Sequence, residues 1–388
     1  MRLLHTSDWH LGRRLHGVDL LDHQRLVLDA LVEDVERLDV ELVVVAGDVY
    51  DRALPPSDAV DLFDDVVHRL GRTRAAVVLT PGNHDSARRL GVHARLLGHL
   101  GVHLRCELAG VGEPVVVEDA DGPVAVFGLP FLDPASAAAP LGAGARTHAA
   151  VHAAALARVH AWLSEHPGHR SVVVAHAFVT GGDLPEESES ERALAVGGAA
   201  HVPAEVFDGV DYVALGHLHG PQRPGGQDRV AYCGSPLAYS FDEVRQRKGW
   251  LLVDLGADGS VTSTWRAAPV PRAMRRLTGR LEELLTRDDL ADAEDAWVDV
   301  TLTDPQRPAQ AMSRLQERFP HALHLSWQPE GGRPGQERTY GERVRGRPPL
   351  DVVTGFVADV RERDADAAET EDLAAAVEAS LRPDEAAA

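Results

Sequence analysis

Five short segments carry side chains able to hold a cation or move a proton. They are Asp8-Trp9-His10, Gly47-Asp48-Val49-Tyr50-Asp51, Gly82-Asn83-His84-Asp85, His176 and Gly216-His217-Leu218-His219. Carboxylate, amide and imidazole donors without thiolates suit manganese, iron or zinc at five or six coordination better than a closed structural zinc site. Asp8 and His10 stand two residues apart, as do His217 and His219. On extended backbone such residues share a face and form a chelate. Seven candidate ligands (Asp8, His10, Asp48, Asn83, His176, His217 and His219) exceed the needs of one ion. Two ions about 3.5–4 Å apart would use them all. Asp48, central in chain order, is the natural bridging carboxylate. The chain holds 20 histidines, so a single one means little. His16, His23, His68, His93, His99, His152, His160 and His169 are read as exposed or capping residues.

The elements that must position these groups follow from hydrophobic patterning. Each segment lies just after an apolar run, and residues 42–46 form a continuous branched stretch suited to a strand buried on both faces. Strands are predicted at 1–7, 42–46, 75–79, 124–127, 171–175, 211–215, 229–233 and 249–255. Helical periodicity runs through Leu21, Leu28, Leu31, Val35 and Leu38, and further helices are predicted after Pro56, with Ser57 as N-cap, and at 147–165. Alternating strands and helices argue for a layered α/β fold. In such sheets ligands bind beyond the carboxyl ends of the strands, so the five loops are expected to converge on one edge.

Composition narrows the class. At 388 residues, with 44% hydrophobic and 26% charged residues, the chain is an ordinary globular protein of two or three domains. Cys106 and Cys233 are its two cysteines, which excludes a disulfide scaffold and a cysteine-based zinc site. A net charge of −21 excludes a generally basic nucleic-acid binder but permits a local basic groove. Arg13, Arg14, Arg52, Arg88 and Arg89 flank the ligand loops and could meet phosphates. Lys248 is the only lysine. No apolar run nears the roughly 20 residues of a membrane span, and the first residues are too polar for a signal peptide, so the chain is read as cytoplasmic. An Arg/Pro-rich stretch at 266–272 marks a boundary. Residues 273–328 read strand, helix, strand, helix, strand. A Gly/Pro/Arg-rich linker and an acidic helical tail follow.

The order Asp-x-His, Gly-Asp-x-x-Asp, Gly-Asn-His-Asp, lone His, Gly-His-x-His resembles the signature of the calcineurin-like metallophosphoesterases. The words His5-Thr6-Ser7-Asp8-Trp9-His10-Leu11-Gly12, Ala46-Gly47-Asp48-Val49-Tyr50-Asp51, Leu215-Gly216-His217-Leu218-His219 and Cys233-Gly234-Ser235-Pro236-Leu237 are similar to those of the bacterial SbcD family of nuclease subunits. That resemblance implies an α/β metallophosphoesterase sandwich, two β-sheets flanked by helices, over 1–268. It implies an α+β capping domain at 269–328 and a helical, partner-binding tail at 350–388; the flexible linker at 329–349 between them is read from its composition, and its Arg- and Gly-rich sequence departs from the family. The resemblance implies two divalent ions, most often Mn2+. Asp8, His10, Asp48 and His219 would hold one; Asp48, Asn83, His176 and His217 the other. A water activated by both would attack the phosphodiester. His84 would act at the scissile phosphate, oriented by Asp85.

The same resemblance implies a metal-dependent exo- and endodeoxyribonuclease. It would cut duplexes 3′→5′ and nick single strands and hairpins with the SMC-like ATPase SbcC. That role belongs to DNA replication, recombination and repair at the nucleoid. Helices at 57–70 and 87–100 would pair two subunits into a homodimer within a heterotetramer, through Val60, Phe63, Val67 and Leu70, then Leu90, Leu96, Leu97 and Leu100. An apolar stripe of Leu350, Val353, Phe356, Val357 and Val360, with Leu373, Ala376, Val377 and Leu381 beyond it, would dock on the ATPase. Two alternatives share the motifs: a phosphomonoesterase or cyclic-nucleotide phosphodiesterase, and a scaffold without catalysis. Residues 273–388 are more than a small-substrate enzyme needs, and an intact ligand set is more than a scaffold needs.

Overall fold

The computed structural model describes residues 1–181, 188, 191, 201–330, 348–361 and 365–381. They form two compact units, Met1–Trp327 and Gln328–Ala388. Most of the expected linker, residues 331–347, lies outside the described residues.

The first unit contains two large sheets. Strands β1 (Arg2–Thr6), β2 (Leu42–Ala46), β3 (Ala76–Thr80) and β4 (Val102–Leu104) run parallel in the first. The second holds β5 (Val115–Asp119), β6 (Gly122–Gly128), β7 (Arg170–His176), β8 (Tyr212–Gly216) and β9 (Val230–Tyr232). Strands β10 (Gly249–Leu255) and β11 (Val261–Ala267) return antiparallel to complete the first. The orders are β11-β10-β1-β2-β3-β4 and β9-β8-β7-β6-β5.

Period-two alternation explains the layering. In β2, Val43 and Val45 enter a core shared with α1 (Leu21–Arg37) and α2 (Ser57–Leu70), while Leu42, Val44 and Ala46 enter the core between the sheets. In β7, Val172 and Val174 face that middle core, while Val173 and Ala175 face α3 (Pro134–Leu141) and α4 (His148–Glu165). Strands buried on both faces have to be apolar at every position, which is why these runs are unbroken. The expected sandwich of two sheets flanked by helices is the observed architecture.

Several local expectations are corrected. Ser57 does not cap α2: Pro56 occupies the cap position, and no side chain accepts a bond there. The helix expected at 87–100 is broken into Ala87–Leu90, a 3-10 turn at Gly91–His93 and Ala94–Gly98. Phe63, Val67, Leu70 and Leu90 are buried in their own core, whereas Val60, Leu96 and Leu100 are exposed. His152 is buried, not exposed, with Nδ1 2.8 Å from the His148 carbonyl.

A third, parallel sheet of β12 (Met274–Gly279), β13 (Trp297–Leu302) and β14 (Ala322–Trp327) carries α5 (Leu281–Thr286) and α6 (Ala311–Arg318). Leu277, Leu284, Val298, Leu315 and Phe319 form its own core, while Trp297 joins the main one. The second unit contains helices α7 (Pro349–Arg361) and α8 (Ala367–Leu381). Asp366 and Glu369 exchange hydrogen bonds of 2.9 and 3.0 Å, a capping box that starts α8.

Candidate metal centre

The five ligand loops meet at the carboxyl ends of β1, β2 and β3 from one sheet and β7 and β8 from the other. Main-chain bonds bring the first two together: Asp8 N donates to Gly47 O at 3.1 Å and His10 N to Asp48 O at 2.9 Å. Glycine permits the approach. A Cβ on Gly82 would collide with the Asp48 carboxylate, and one on Gly47, at φ 83°, with the His176 ring. The expectation of extended chelate pairs fails. Asp8, His10, Asp48 and His217 have φ of 52°, 44°, 49° and 110°, and Trp9 between the first two points into the core. Left-handed backbone at non-glycine residues costs roughly 1–3 kcal/mol each and concentrates at functional sites.

Three compact donor groups result: Asp8–His10–His219, His10–Asp48–His84 and Asp8–Asp48–His176. Asp48 Oδ2 lies 3.6 Å from His10 Nε2, 3.5 Å from His176 Nε2 and 3.9 Å from His84 Nε2. His176 Nε2 is 2.9 Å from Asn83 Oδ1. Its Nδ1 is 2.9 Å from the Ala46 carbonyl, which can only accept, so Nε2 presents a lone pair to the centre. His217 is buried, donates its amide to both Asp8 oxygens at 3.1 and 3.2 Å, and sets its ring beside that of His176, but it joins none of the three groups.

A divalent cation fits this donor set. Asp8 and Asp48 are buried carboxylates, and among the described residues no lysine or arginine forms an ion pair with either. Burial, with the Asp48 charge beside it, pushes the Asp8 carboxyl well above the usual range. Burial likewise holds the His10, His176 and His217 rings below the ordinary imidazole value, hence neutral. His10 Nδ1 and Asn83 Nδ2 are buried without a hydrogen-bond partner among the described residues. Buried carboxyls and neutral imidazoles facing one another lack a positive charge; bound ions would supply it and hold Asp8 in its ionised, ligating form.

The surrounding shell contains residues the motifs did not reveal. Gln24 on α1 donates to the Trp9 and His10 carbonyls at 3.0 and 2.7 Å and accepts from Gly12 N at 3.1 Å. Glu191 accepts from His219 N at 2.7 Å. Glu243 Oε1 lies 3.0 Å from His219 Nδ1, and its other oxygen pairs with Lys248. Burial alone would raise the Glu243 carboxyl; Lys248 and His219 outweigh it and hold it low. Asp85 does not hold the His84 ring in the way the resemblance implies. It accepts from Val49 N, Tyr50 N and Gly82 N at 2.9–3.0 Å and so ties two loops together. The His84 ring is set instead by the Asp51 carbonyl, 2.7 Å from Nδ1. Arg13 pairs with Asp51 at 2.9 Å, while Arg14, Arg52, Arg88 and Arg89 lie at the surface.

Residues 1–221 match the calcineurin-like phosphoesterase family, and the chain belongs to it. Residues 270–361 match the SbcD C-terminal domain, described as the type 5 capsule protein repressor C-terminal domain, so within that family the chain is of the SbcD type. Similar solved structures include TT1561 of Thermus thermophilus, 14% identical with a TM-score of 0.40, over 68% of this chain and 97% of that one. An archaeal phosphodiesterase is 15% identical with a TM-score of 0.29, over 68% and 99%. GAP50, the anchor in the inner membrane complex of Plasmodium, is 11% identical with a TM-score of 0.40, over 86% and 99%. Likenesses this low bear no weight on substrate. No described helix is long and apolar enough to cross a membrane.

Proposed function

We propose that this metal-dependent phosphoesterase is a DNA nuclease subunit. It would act 3′→5′ on duplex ends and endonucleolytically on single strands and hairpins, with an SMC-like ATPase of the SbcC type as partner. The observation that carries the reading is the pairing of a buried Asp/His centre with an SbcD-type C-terminal domain on one chain. In this reading residues 1–268 form the nuclease domain, 269–328 the cap, 329–349 a linker and 350–388 the partner-binding tail.

Asp8, His10, Asp48 and His219 would hold one ion and Asp48, Asn83, His176 and His217 the other, with Mn2+ the favoured metal. Bound ions would offset phosphate charge and acidify a water. The protein's own part is positional. With Nδ1–H committed to the Asp51 carbonyl, Nε2 is the atom of His84 free to face the leaving oxygen, and it would give up a proton there from the doubly protonated ring, which returns to the neutral Nδ1–H form. His84 also stands in the compact His10–Asp48–His84 group, so the number of ions bound by a His84 variant separates a proton donor from a ligand. Arg13, fixed by Asp51 with its guanidinium 5.9 Å from the Tyr239 ring centre, is the arginine best placed to meet a backbone phosphate. Of the residues expected to pair two subunits, Val60, Leu96 and Leu100 are exposed and would contribute to the contact of a homodimer within a heterotetramer.

The test is Mn2+-dependent cleavage of a linear duplex and a hairpin, beside p-nitrophenyl phosphate and a cyclic nucleotide. Cutting of the DNA substrates is expected. Turnover of the small phosphoesters alone would replace the nuclease with a phosphomonoesterase or cyclic-nucleotide phosphodiesterase.

A further inference from the structure

Lys248 is the single lysine of this chain, and it is buried. Its ammonium lies directly behind His219. Its three N–H groups are shared among four acceptors: the His219 carbonyl at 2.9 Å, Ser235 Oγ at 2.8 Å, Gln246 Oε1 at 2.9 Å and the Glu243 carboxylate. A compact ammonium can serve acceptors on several sides, where a planar guanidinium would need a wider slot. Glu243 then reaches His219 Nδ1 at 3.0 Å with its other oxygen. The short turn Phe241–Arg245 that carries it is itself fixed: Ser240 accepts from Asp242 N at 3.2 Å, and Tyr239 N donates to Glu243 at 3.2 Å.

A carboxylate paired with a lysine only accepts, so the proton sits on His219 Nδ1 and the Nε2 lone pair is left for the donor group of Asp8 and His10. A buried ion pair rarely adds net stability over apolar packing of the same volume, so stability alone does not account for this one. We infer that Glu243 and Lys248 are positioning residues of the metal centre: the pair fixes the tautomer and orientation of His219. The inference rests on the two-ion reading above. Carboxylates that orient a metal-bound imidazole typically change metal affinity by about 10–100-fold.

The experiment removes both charges together, in Glu243→Gln/Lys248→Met, so that neither is left buried alone. A second variant, Glu243→Asp, keeps the ion pair but withdraws the carboxylate from Nδ1. Mn2+ binding is measured by calorimetry, and the imidazole tautomers by 15N NMR of metal-free protein, with His219→Gln assigning the signal. The wild type should bind two ions. The folded variant should bind one ion normally and the other about 10–100-fold more weakly, with the Nδ1-protonated His219 signal lost or split. Two ions at wild-type affinity and an unchanged tautomer in a folded variant would overturn the inference. A wild type that binds no Mn2+ would overturn the two-ion reading and this inference with it.

Discussion

His84 and Asp48 separate chemistry from metal binding at the scale of single residues. His84 is held by its own ring contact with the Asp51 carbonyl and by its amide, which donates to Asp48 at 2.9 Å. His84→Gln should lower cleavage by about 10²–10⁴-fold, as loss of a general acid does, while calorimetry still finds two ions. Loss of an ion in that variant would make His84 a ligand. Asp48 lies within 3.9 Å of three imidazole nitrogens drawn from both sheets. Asp48→Ala should therefore empty both positions, and His10→Ala chiefly one. Full stoichiometry in Asp48→Ala would remove its bridging role. The ligand types stood out in the sequence because each follows an apolar run. Their left-handed backbone did not, since φ at Asp8 or His10 depends on the loop opposite. Gln24 left a usable signal, a polar residue on the helix face of Leu21, Leu28 and Leu31 that packs inward. Lys248 left another, as the lone lysine. Glu191 and Glu243 left none among so many acids.

At the level of elements, the end of the sheets away from the metal centre is closed by Arg170, the first residue of β7. Its guanidinium pairs with Asp119 on β5 and donates to the Gly122 carbonyl at 2.7 Å and, across the layers, to Leu255 O at 3.3 Å. Burial would raise the Asp119 carboxyl, but Arg170 and the Met1 ammonium, 2.6 Å away, outweigh it and hold it low. A depressed carboxyl stabilises the fold at every pH above the unfolded value near 4 and loses that contribution as pH falls below it. Asp119→Asn should thus cost about 3 kcal/mol in urea unfolding at pH 7, with the gap to wild type narrowing toward pH 3. A gap independent of pH would deny the ion pair that role. The buried strands were legible because both faces are apolar. The strands β4, β5 and β11 were not: β4 has three residues, and β11, Val-Thr-Ser-Thr-Trp-Arg-Ala, is half exposed along its length, which removes the run that marks a buried strand. The break at Gly91 was also hidden, because both halves of 87–100 keep helical spacing.

For the molecule as a whole, an acidic chain is expected to borrow its partners' surfaces. Leu96→Asp/Leu100→Asp should convert a dimer into a 41.8 kDa monomer by light scattering at micromolar concentration. A wild type already monomeric would remove the exposed leucines from any subunit contact. Deleting 345–388 should leave single-strand endonuclease activity intact and abolish capture of an SbcC-type ATPase. Undiminished capture would place the partner surface elsewhere. All of this depends on five loops from two sheets building one two-ion centre. Anomalous diffraction at the manganese edge, on crystals soaked in Mn2+, tests that most directly. Two peaks about 3.5–4 Å apart, with Asp48 between them and Asp8 and His176 on opposite sides, are the expected result. A single peak, or ions bound away from Asp48, would contradict it.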